Sequence, residues 1–183
     1  MHGSHSSGEV TGFGKPHANC LLGIALLGVA VVAAAAQPEL AVTFGRGTDS
    51  HETEVARLSY RSALSVDNRW WWPQQVQFGL GLWRVPDPQG QTRRYEASVT
   101  PIWRRENSTG YLEGGIGAYL LSHIIHNDQH QLPSAFQFGS HVGAGVFLGP
   151  MRVGLAVQHV SNAGLKEPNG GINLFLLSAS VPL

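Results

Sequence analysis

Apolar and polar residues alternate with a period of two along most of the chain beyond residue 37. In the stretch QVQFGLGLW, the even-numbered positions from Val76 to Leu82 are apolar, and the odd-numbered positions from Gln75 to Gly81 are Gln or Gly. Such alternation is typical of a β-strand with one apolar and one polar face. Eight segments of this kind are separated by turn-forming residues, near 39–47, 53–66, 74–85, 93–104, 111–121, 135–148, 151–161 and 172–182.

The length and the two faces of these segments predict a membrane barrel. Strands of soluble proteins usually have about 5–6 residues, whereas a tilted strand needs about 9–11 residues to cross a bilayer. The apolar face carries almost no charge, and the other face holds Arg57, Arg61, Arg94, Glu96, Arg104, Glu113 and Arg152. A narrow eight-stranded barrel can hold such side chains in its interior as ion pairs. We therefore expect an all-β fold, an eight-stranded antiparallel outer-membrane β-barrel over residues 37–183.

A different pattern precedes the first alternating segment. Cys20–Ala36 is an uncharged apolar run of 17 residues, and its last three residues, Ala34 to Ala36, are all small. A spanning helix needs about 20 apolar residues, whereas small residues after a shorter apolar run are typical of a signal-peptide cleavage site. Residues 1–36 are therefore predicted to be a cleavable signal peptide, with a retained N-terminal anchor as the alternative. Cleavage would remove the only cysteine, which suits a bacterial envelope protein without disulfides.

The charge balance argues against a nucleic-acid partner. The chain has 12 Lys and Arg and 12 Asp and Glu residues, for a formal net charge of +0 at pH 7. A neutral chain lacks the basic surface that binds a phosphate backbone. Three histidines, His123, His126 and His130, cluster between the fifth and sixth segments, but their spacing matches no standard set of metal ligands. We expect an exposed polar loop there, and no metal or other cofactor.

The end of the seventh segment carries two polar residues on the apolar face. His159 and Ser161 are two positions apart, so their side chains share the lipid-facing side with Leu155. Long connections over 47–53, 86–91 and 122–134 predict that the connection after Ser161 also lies at the outer leaflet. A serine needs a base such as imidazole to become a nucleophile, and the intermediate needs hydrogen-bond donors for its oxyanion. On spacing alone, a hydrogen-bonded hairpin is the alternative to an active site.

The full string HVSNAGLKEPNGGI, residues 159–172, closely resembles the C-terminal motif of the outer-membrane lipid A 3-O-deacylases, the PagL family. The strings LEGGIG (112–117) and FQFGSHVGAG (136–145) also resemble the fifth and sixth strands of that family. The resemblance extends from roughly residue 40 to the end of the chain. It implies an eight-stranded barrel in the bacterial outer membrane, with lipid A or lipopolysaccharide as substrate. It also implies a serine-hydrolase mechanism without a metal.

Matched by motif, the resemblance implies a role for each polar residue of the string. Ser161 would be the nucleophile and His159 the general base. Asn162, with the backbone N–H of Gly164, would form the oxyanion hole. Lys166 is a candidate contact for a lipid A phosphate, although a solvated loop charge explains it equally well.

Two positions depart from the family's pattern. Its catalytic glutamate falls on Asn173, which would point outward beside His159. An amide oxygen can accept a hydrogen bond from imidazole, but it does not stabilise imidazolium as a carboxylate does. We expect either reduced activity or recruitment of a loop acid, with Glu167 the nearest in sequence. The family's aspartate thought to contact the 3-hydroxyl of the acyl chain falls on Ser140, which leaves the acyl-chain specificity open.

Three functions are compatible with these residues. The leading one is an esterase that removes the 3-O-linked acyl chain of lipid A. The alternatives are an outer-membrane phospholipase with similar Ser-His chemistry and a non-enzymatic structural or adhesive barrel. A monomer and a homodimer both fit the pattern.

Overall fold

The computed structural model describes residues 37–48, 53–64, 71–87, 90–123, 125–126, 131–132, 134–167 and 169–183. These ranges contain ten β-strands: β1 (Glu39–Gly47), β2 (Glu54–Ala63), β3 (Gln75–Asp87), β4 (Gly90–Glu106), β5 (Gly110–Leu121), β6 (Ile125–His126), β7 (Gln131–Leu132), β8 (Phe136–Leu148), β9 (Met151–Ser161) and β10 (Ile172–Pro182). Within these ranges, no helix is long and apolar enough to cross a membrane. The predicted signal peptide, residues 1–36, lies outside the described residues and stays a prediction.

Eight of the strands close into one antiparallel barrel in the order β1-β10-β9-β8-β5-β4-β3-β2. Strand β1 pairs with both β2 and β10, which closes the ring. The short strands β6 and β7 form a separate hairpin within the connection from β5 to β8. A closed barrel leaves no strand edge, so the backbone groups of these strands are paired inside a bilayer. The predicted fold class is therefore confirmed, and each of the eight predicted segments corresponds to one barrel strand.

Side chains alternate between a packed interior and an apolar outer surface. Along β5 the pattern is regular: Tyr111 and Glu113 are buried, and Leu112 and Ile116 are 66% and 61% exposed. A water-soluble protein would bury side chains of this size, because exposing them to water is unfavourable. A continuous outward apolar band is the surface that lipid covers in an outer-membrane barrel.

Ion pairs fill the interior, as the charged face of the segments predicts. The Arg57 guanidinium donates two hydrogen bonds to the Glu96 carboxylate, at 2.7 and 2.8 Å, and the Trp83 indole donates a third at 2.6 Å. In a second cluster, Arg104 and Glu113 lie 2.7 Å apart. This cluster also contains Arg61, Glu39 and Arg152. A filled interior leaves no room for a water-filled pore or a large ligand.

The two ends of the barrel differ. Glu39 of β1 pairs with Pro182 of β10, so both ends of the barrel sequence lie at the same end of the barrel. That end is periplasmic in outer-membrane barrels. Trp71 and Trp72 are exposed in the β2–β3 connection at this end, and the Trp103 indole donates to the Trp71 carbonyl oxygen at 3.2 Å. The opposite end, called the outer end below, carries the β9–β10 connection that follows Ser161.

One connection differs from the expectation. The long loop expected over residues 86–91 is shorter than predicted, because β3 continues to Asp87, β4 begins at Gly90, and these two residues pair. Cross-strand backbone pairing joins these strand ends and does not depend on the polarity of the side chains. Beyond the bilayer no lipid selects for apolar residues, so the alternation fades before the strands end.

Candidate functional site

Strand β9 presents His159 on the lipid-facing surface. Its neighbours Gln158 and Val160 are 3% and 0% exposed, whereas His159 is exposed, like Leu155 on the same face. Ser161 is the last residue of β9 and is half-buried. The structure therefore places both residues where the alternation predicts, on the outer surface and at the outer end of the barrel.

The strand register places Asn173 and Ser140 on either side of His159. Asn173 of β10 and Ser140 of β8 are both directly opposite His159. The Asn173 Oδ1 atom lies 2.7 Å from His159 Nδ1. An amide oxygen only accepts hydrogen bonds, so this contact places the imidazole proton on Nδ1. The Nε2 atom is then unprotonated and can accept a hydrogen bond or a proton. A general base beside a serine needs this orientation.

Ser161 and His159 are near each other without being hydrogen-bonded. Positions i and i+2 of a strand have Cα atoms about 6–7 Å apart. In the described part of the chain, the hydrogen bond of the imidazole is the one to Asn173, and none joins it to Ser161 Oγ. A rotation of the serine side chain has to bring Oγ to Nε2. Catalytic hydrogen bonds commonly tighten in this way when the substrate binds.

Gly171 is a site residue that the sequence does not reveal. It has a φ of 64°, which favours glycine. A Cβ at this position would lie 2.6 Å from His159 Cε1 and 3.1 Å from Nε2. The bare backbone of Gly171 therefore makes space for the imidazole. A Gly-Gly pair just before the last strand is the only signal in the sequence.

The loop after Ser161 is organised around the fully buried Asn162. Its Oδ1 accepts the Gly164 N–H at 2.9 Å, and its Nδ2 donates to the Lys166 carbonyl oxygen at 2.7 Å. Its backbone N–H donates to Asn169 Oδ1 at 3.1 Å. The two groups expected to form the oxyanion hole, the Asn162 amide and the Gly164 N–H, therefore bond within the loop. They reach an oxyanion only if the loop rearranges.

The remaining predicted residues lie further along the loop. Glu167, the expected substitute acid, accepts the Asn169 backbone N–H at 3.0 Å, and the partner of the His159 imidazole is Asn173 instead. Lys166 is exposed, as a headgroup contact would require. In the ranges that the structure describes, no group of three or more His, Cys, Asp or Glu side chains could hold a metal. His130 of the histidine cluster lies outside those ranges.

Comparison with known proteins decides the family. Residues 54–182 match the sequence model of the family described as lipid A 3-O-deacylase (PagL). The chain belongs to the PagL family. A protein of Bordetella bronchiseptica named lipid A deacylase PagL is 33% identical over 166 residues, which cover 86% of this chain and 92% of that protein. A Pseudomonas aeruginosa protein of the same name is 30% identical over 142 residues, 72% of this chain and 82% of that protein.

Solved structures agree with the PagL assignment. The crystal structure of the outer membrane enzyme PagL superposes with a TM-score of 0.65 at 26% identity, covering 79% of this chain and 99% of that one. The Yersinia pestis outer membrane protein Ail, with a TM-score of 0.51 at 15% identity, shares the fold alone. These findings confirm the family, the enzyme class and the outer-membrane location expected from the sequence.

In this PagL family member, a groove on the outer wall leads away from His159. It has a volume of about 490 Å³, and Ser140 lies beside His159 at one end. Gly114 of β5 lies opposite both Trp103 and Val142, so its missing side chain leaves a depression between them. The groove is open to lipid, and its exposed surface is mostly apolar. Such a surface suits a hydrocarbon chain.

Proposed function

We propose that the chain hydrolyses the 3-O-linked acyl chain of lipid A by a serine-hydrolase mechanism. Ser161 is the nucleophile, His159 the general base, and Asn173 the residue that orients the imidazole. The observation that carries the proposal is the 2.7 Å contact between Asn173 Oδ1 and His159 Nδ1 on the lipid-facing surface at the outer end. A substrate anchored in the outer leaflet reaches this surface without leaving the membrane.

The reaction proceeds in two halves. Ser161 Oγ attacks the ester carbonyl carbon while its proton moves to His159 Nε2, and the carbonyl oxygen becomes an oxyanion. The intermediate then expels the sugar hydroxyl at position 3, which takes the proton from the imidazolium. An ester between Ser161 and the acyl chain remains. Water attacks this ester and gives a proton to His159. The intermediate then releases the fatty acid, and Ser161 Oγ takes the proton back from the imidazolium.

The acyl chain of the bound substrate lies in the groove beside His159. Ser140 lies opposite His159, where its hydroxyl is positioned to bond a polar group near the ester. The rest of the acyl chain lies along the apolar wall toward Gly114. We keep Asn162 and Gly164 as the oxyanion donors, after a loop rearrangement that frees their N–H groups. Asn162 follows Ser161 directly and Gly164 is three positions after it, and this supports the assignment.

Mass spectrometry of lipid A from cells that express the chain tests the proposal. Wild type should remove one ester-linked acyl chain, and Ser161→Ala and His159→Asn should not. The amount of each variant in the outer-membrane fraction serves as the control. Unchanged lipid A with wild type, or deacylation by either variant, would refute the mechanism. Release of fatty acid from phospholipids in the same cells, with lipid A intact, would favour a phospholipase.

A further inference from the structure

Four charged residues form a row across neighbouring strands at the outer end. Arg46 of β1 lies opposite Glu54 of β2, Glu54 opposite Arg84 of β3, and Arg84 opposite Arg93 of β4. The three arginines are exposed and Glu54 is half-buried on the same outward face. This set of four residues is called the arginine row. Arg46 is the next-to-last residue of β1 and Glu54 the first of β2, so the row lies at headgroup level.

Two arginines of the row, Arg84 and Arg93, lie next to each other. Arg84 pairs with Glu54 at 3.2 Å, with side chains 53% and 43% exposed, and exposed pairs of this kind are weak. Arg84 also lies directly opposite Arg93, and like charges at such positions repel. Arg84 and Arg93 therefore place two positive charges side by side at the outer end. An anion that bridges Arg84 and Arg93 relieves this repulsion.

An apolar groove of about 540 Å³ lies below the row. Ala56 of β2 is opposite both Phe44 and Leu82, so its small side chain leaves a dip between two large ones. Phe175 and Leu177 of β10 line the same groove, and Arg46 and Arg84 stand at its edge. A cationic edge above an apolar groove complements an amphiphile with an anionic headgroup.

The row begins next to the candidate active site. Arg46 lies opposite Phe175, two residues from Asn173 along β10. Diagonal neighbours across antiparallel strands are about 7–8 Å apart. When the ester of a lipid lies at Ser161, other parts of the same lipid molecule are therefore close enough to contact the arginine row.

We propose that the arginine row and the groove below it bind a phosphate group and a second acyl chain of the lipid A molecule whose ester is cleaved at Ser161. The inference rests on the proposed function for its substrate. Arginine forks bind phosphate oxygens bidentately, and such charge-assisted bonds are the strong ones. Glu54 holds Arg84 at the centre of the row and does not itself contact the phosphate.

Native mass spectrometry of the full chain in detergent tests the phosphate site. All proteins carry Ser161→Ala, so that no lipid is consumed. The probes are bis-phosphorylated lipid A and the same lipid with both phosphates removed. The parent should retain the phosphorylated form roughly tenfold better or more. The double variant Arg84→Gln/Arg93→Gln should lose this preference and bind the phosphate-free lipid as before. Arg105→Gln, at the periplasmic end of β4, is the matched control and should change nothing.

Two results overturn the inference: a parent without preference for the phosphorylated lipid, or a double variant that keeps the preference. Competition with inorganic phosphate separates a lipid site from a general anion site, since only the latter loses lipid A to free phosphate.

Ala56→Leu fills the groove and should weaken retention of both lipids, whereas Ala179→Leu elsewhere on the outer wall should not. Lipid retention does not require turnover, so this measurement tests the arginine row alone. An inactive wild type would refute the proposed function, and the retention experiment would still decide whether the row binds the phosphate.

Discussion

Replacement of Asn173 by Asp is expected to accelerate deacylation about tenfold. The two side chains have the same shape, so a carboxylate oxygen takes the place of Oδ1 at 2.7 Å from His159 Nδ1. When Ser161 gives its proton to Nε2, the ring becomes imidazolium. A carboxylate stabilises that charge and an amide does not.

The size of the effect follows from the two kinds of hydrogen bond. A neutral hydrogen bond contributes about 0.5–1.5 kcal/mol net, and one to a charged group about 1.5–3 kcal/mol. The difference, roughly 1–1.5 kcal/mol, acts mainly on the transition state, because the imidazolium forms there. About 1.4 kcal/mol corresponds to a tenfold change in rate. Two charges about 4 Å apart near a protein surface attract by about 4 kcal/mol, which is a ceiling, since His159 is exposed.

The assay follows fatty acid release from purified lipopolysaccharide in detergent micelles. Asn173→Asp and Asn173→Glu should both raise kcat, and Asn173→Ala should lower it, because the imidazole loses its orienting bond. The Asp variant combined with Ser161→Ala controls for release that does not pass through the serine. Folded Asp and Glu variants that are no faster than wild type would show that Asn173 does not orient the base.

Three further variants separate the site from the barrel. Gly171→Ala should abolish most activity and leave the barrel intact, since its Cβ would lie 2.6 Å from His159 Cε1; an active, folded variant contradicts this. Gly114→Leu should shift preference toward shorter acyl chains in a competition between substrates of different length, whereas Ala179→Leu should not; equal selectivity in both variants rules out the groove. Glu96→Gln leaves a buried arginine unpaired and should destabilise the barrel by about 3–5 kcal/mol, measured by urea unfolding in detergent, while the folded fraction keeps its activity.

The alternation of apolar and polar residues predicts most of the barrel. The strand segments that it does not predict are missed for one physical reason. Lipid outside and packed side chains inside select opposite residue types, so a strand within the bilayer shows a period of two. This selection ends at the outer end, where β3 and β4 continue to Asp87 and Gly90 through a stretch rich in Pro and Gly. The strands β6 and β7 have two residues each, which is too short for a period to show.

The candidate site is predictable only in part. Alternation alone places His159 and Ser161 on the lipid-facing side. It does not pair His159 with Asn173, which is 14 positions away, because that contact depends on the register of β9 with β10. The role of Gly171 depends on a positive φ and a close approach to the imidazole. The loop bonds of Asn162 depend on a turn geometry that residue types alone do not specify.

Interior and outer wall have separate tasks in this barrel, and this separation supports a substrate taken from the membrane. The side chains of the interior pair Arg57 and Glu96 are 2% and 0% exposed, so no substrate enters there. His159, the groove at Gly114 and the arginine row all lie on the lipid-facing wall. Interior substitutions should therefore change stability, and outer-wall substitutions should change substrate choice. An outer-wall variant such as Gly114→Leu that lowered stability and left selectivity unchanged would contradict this division.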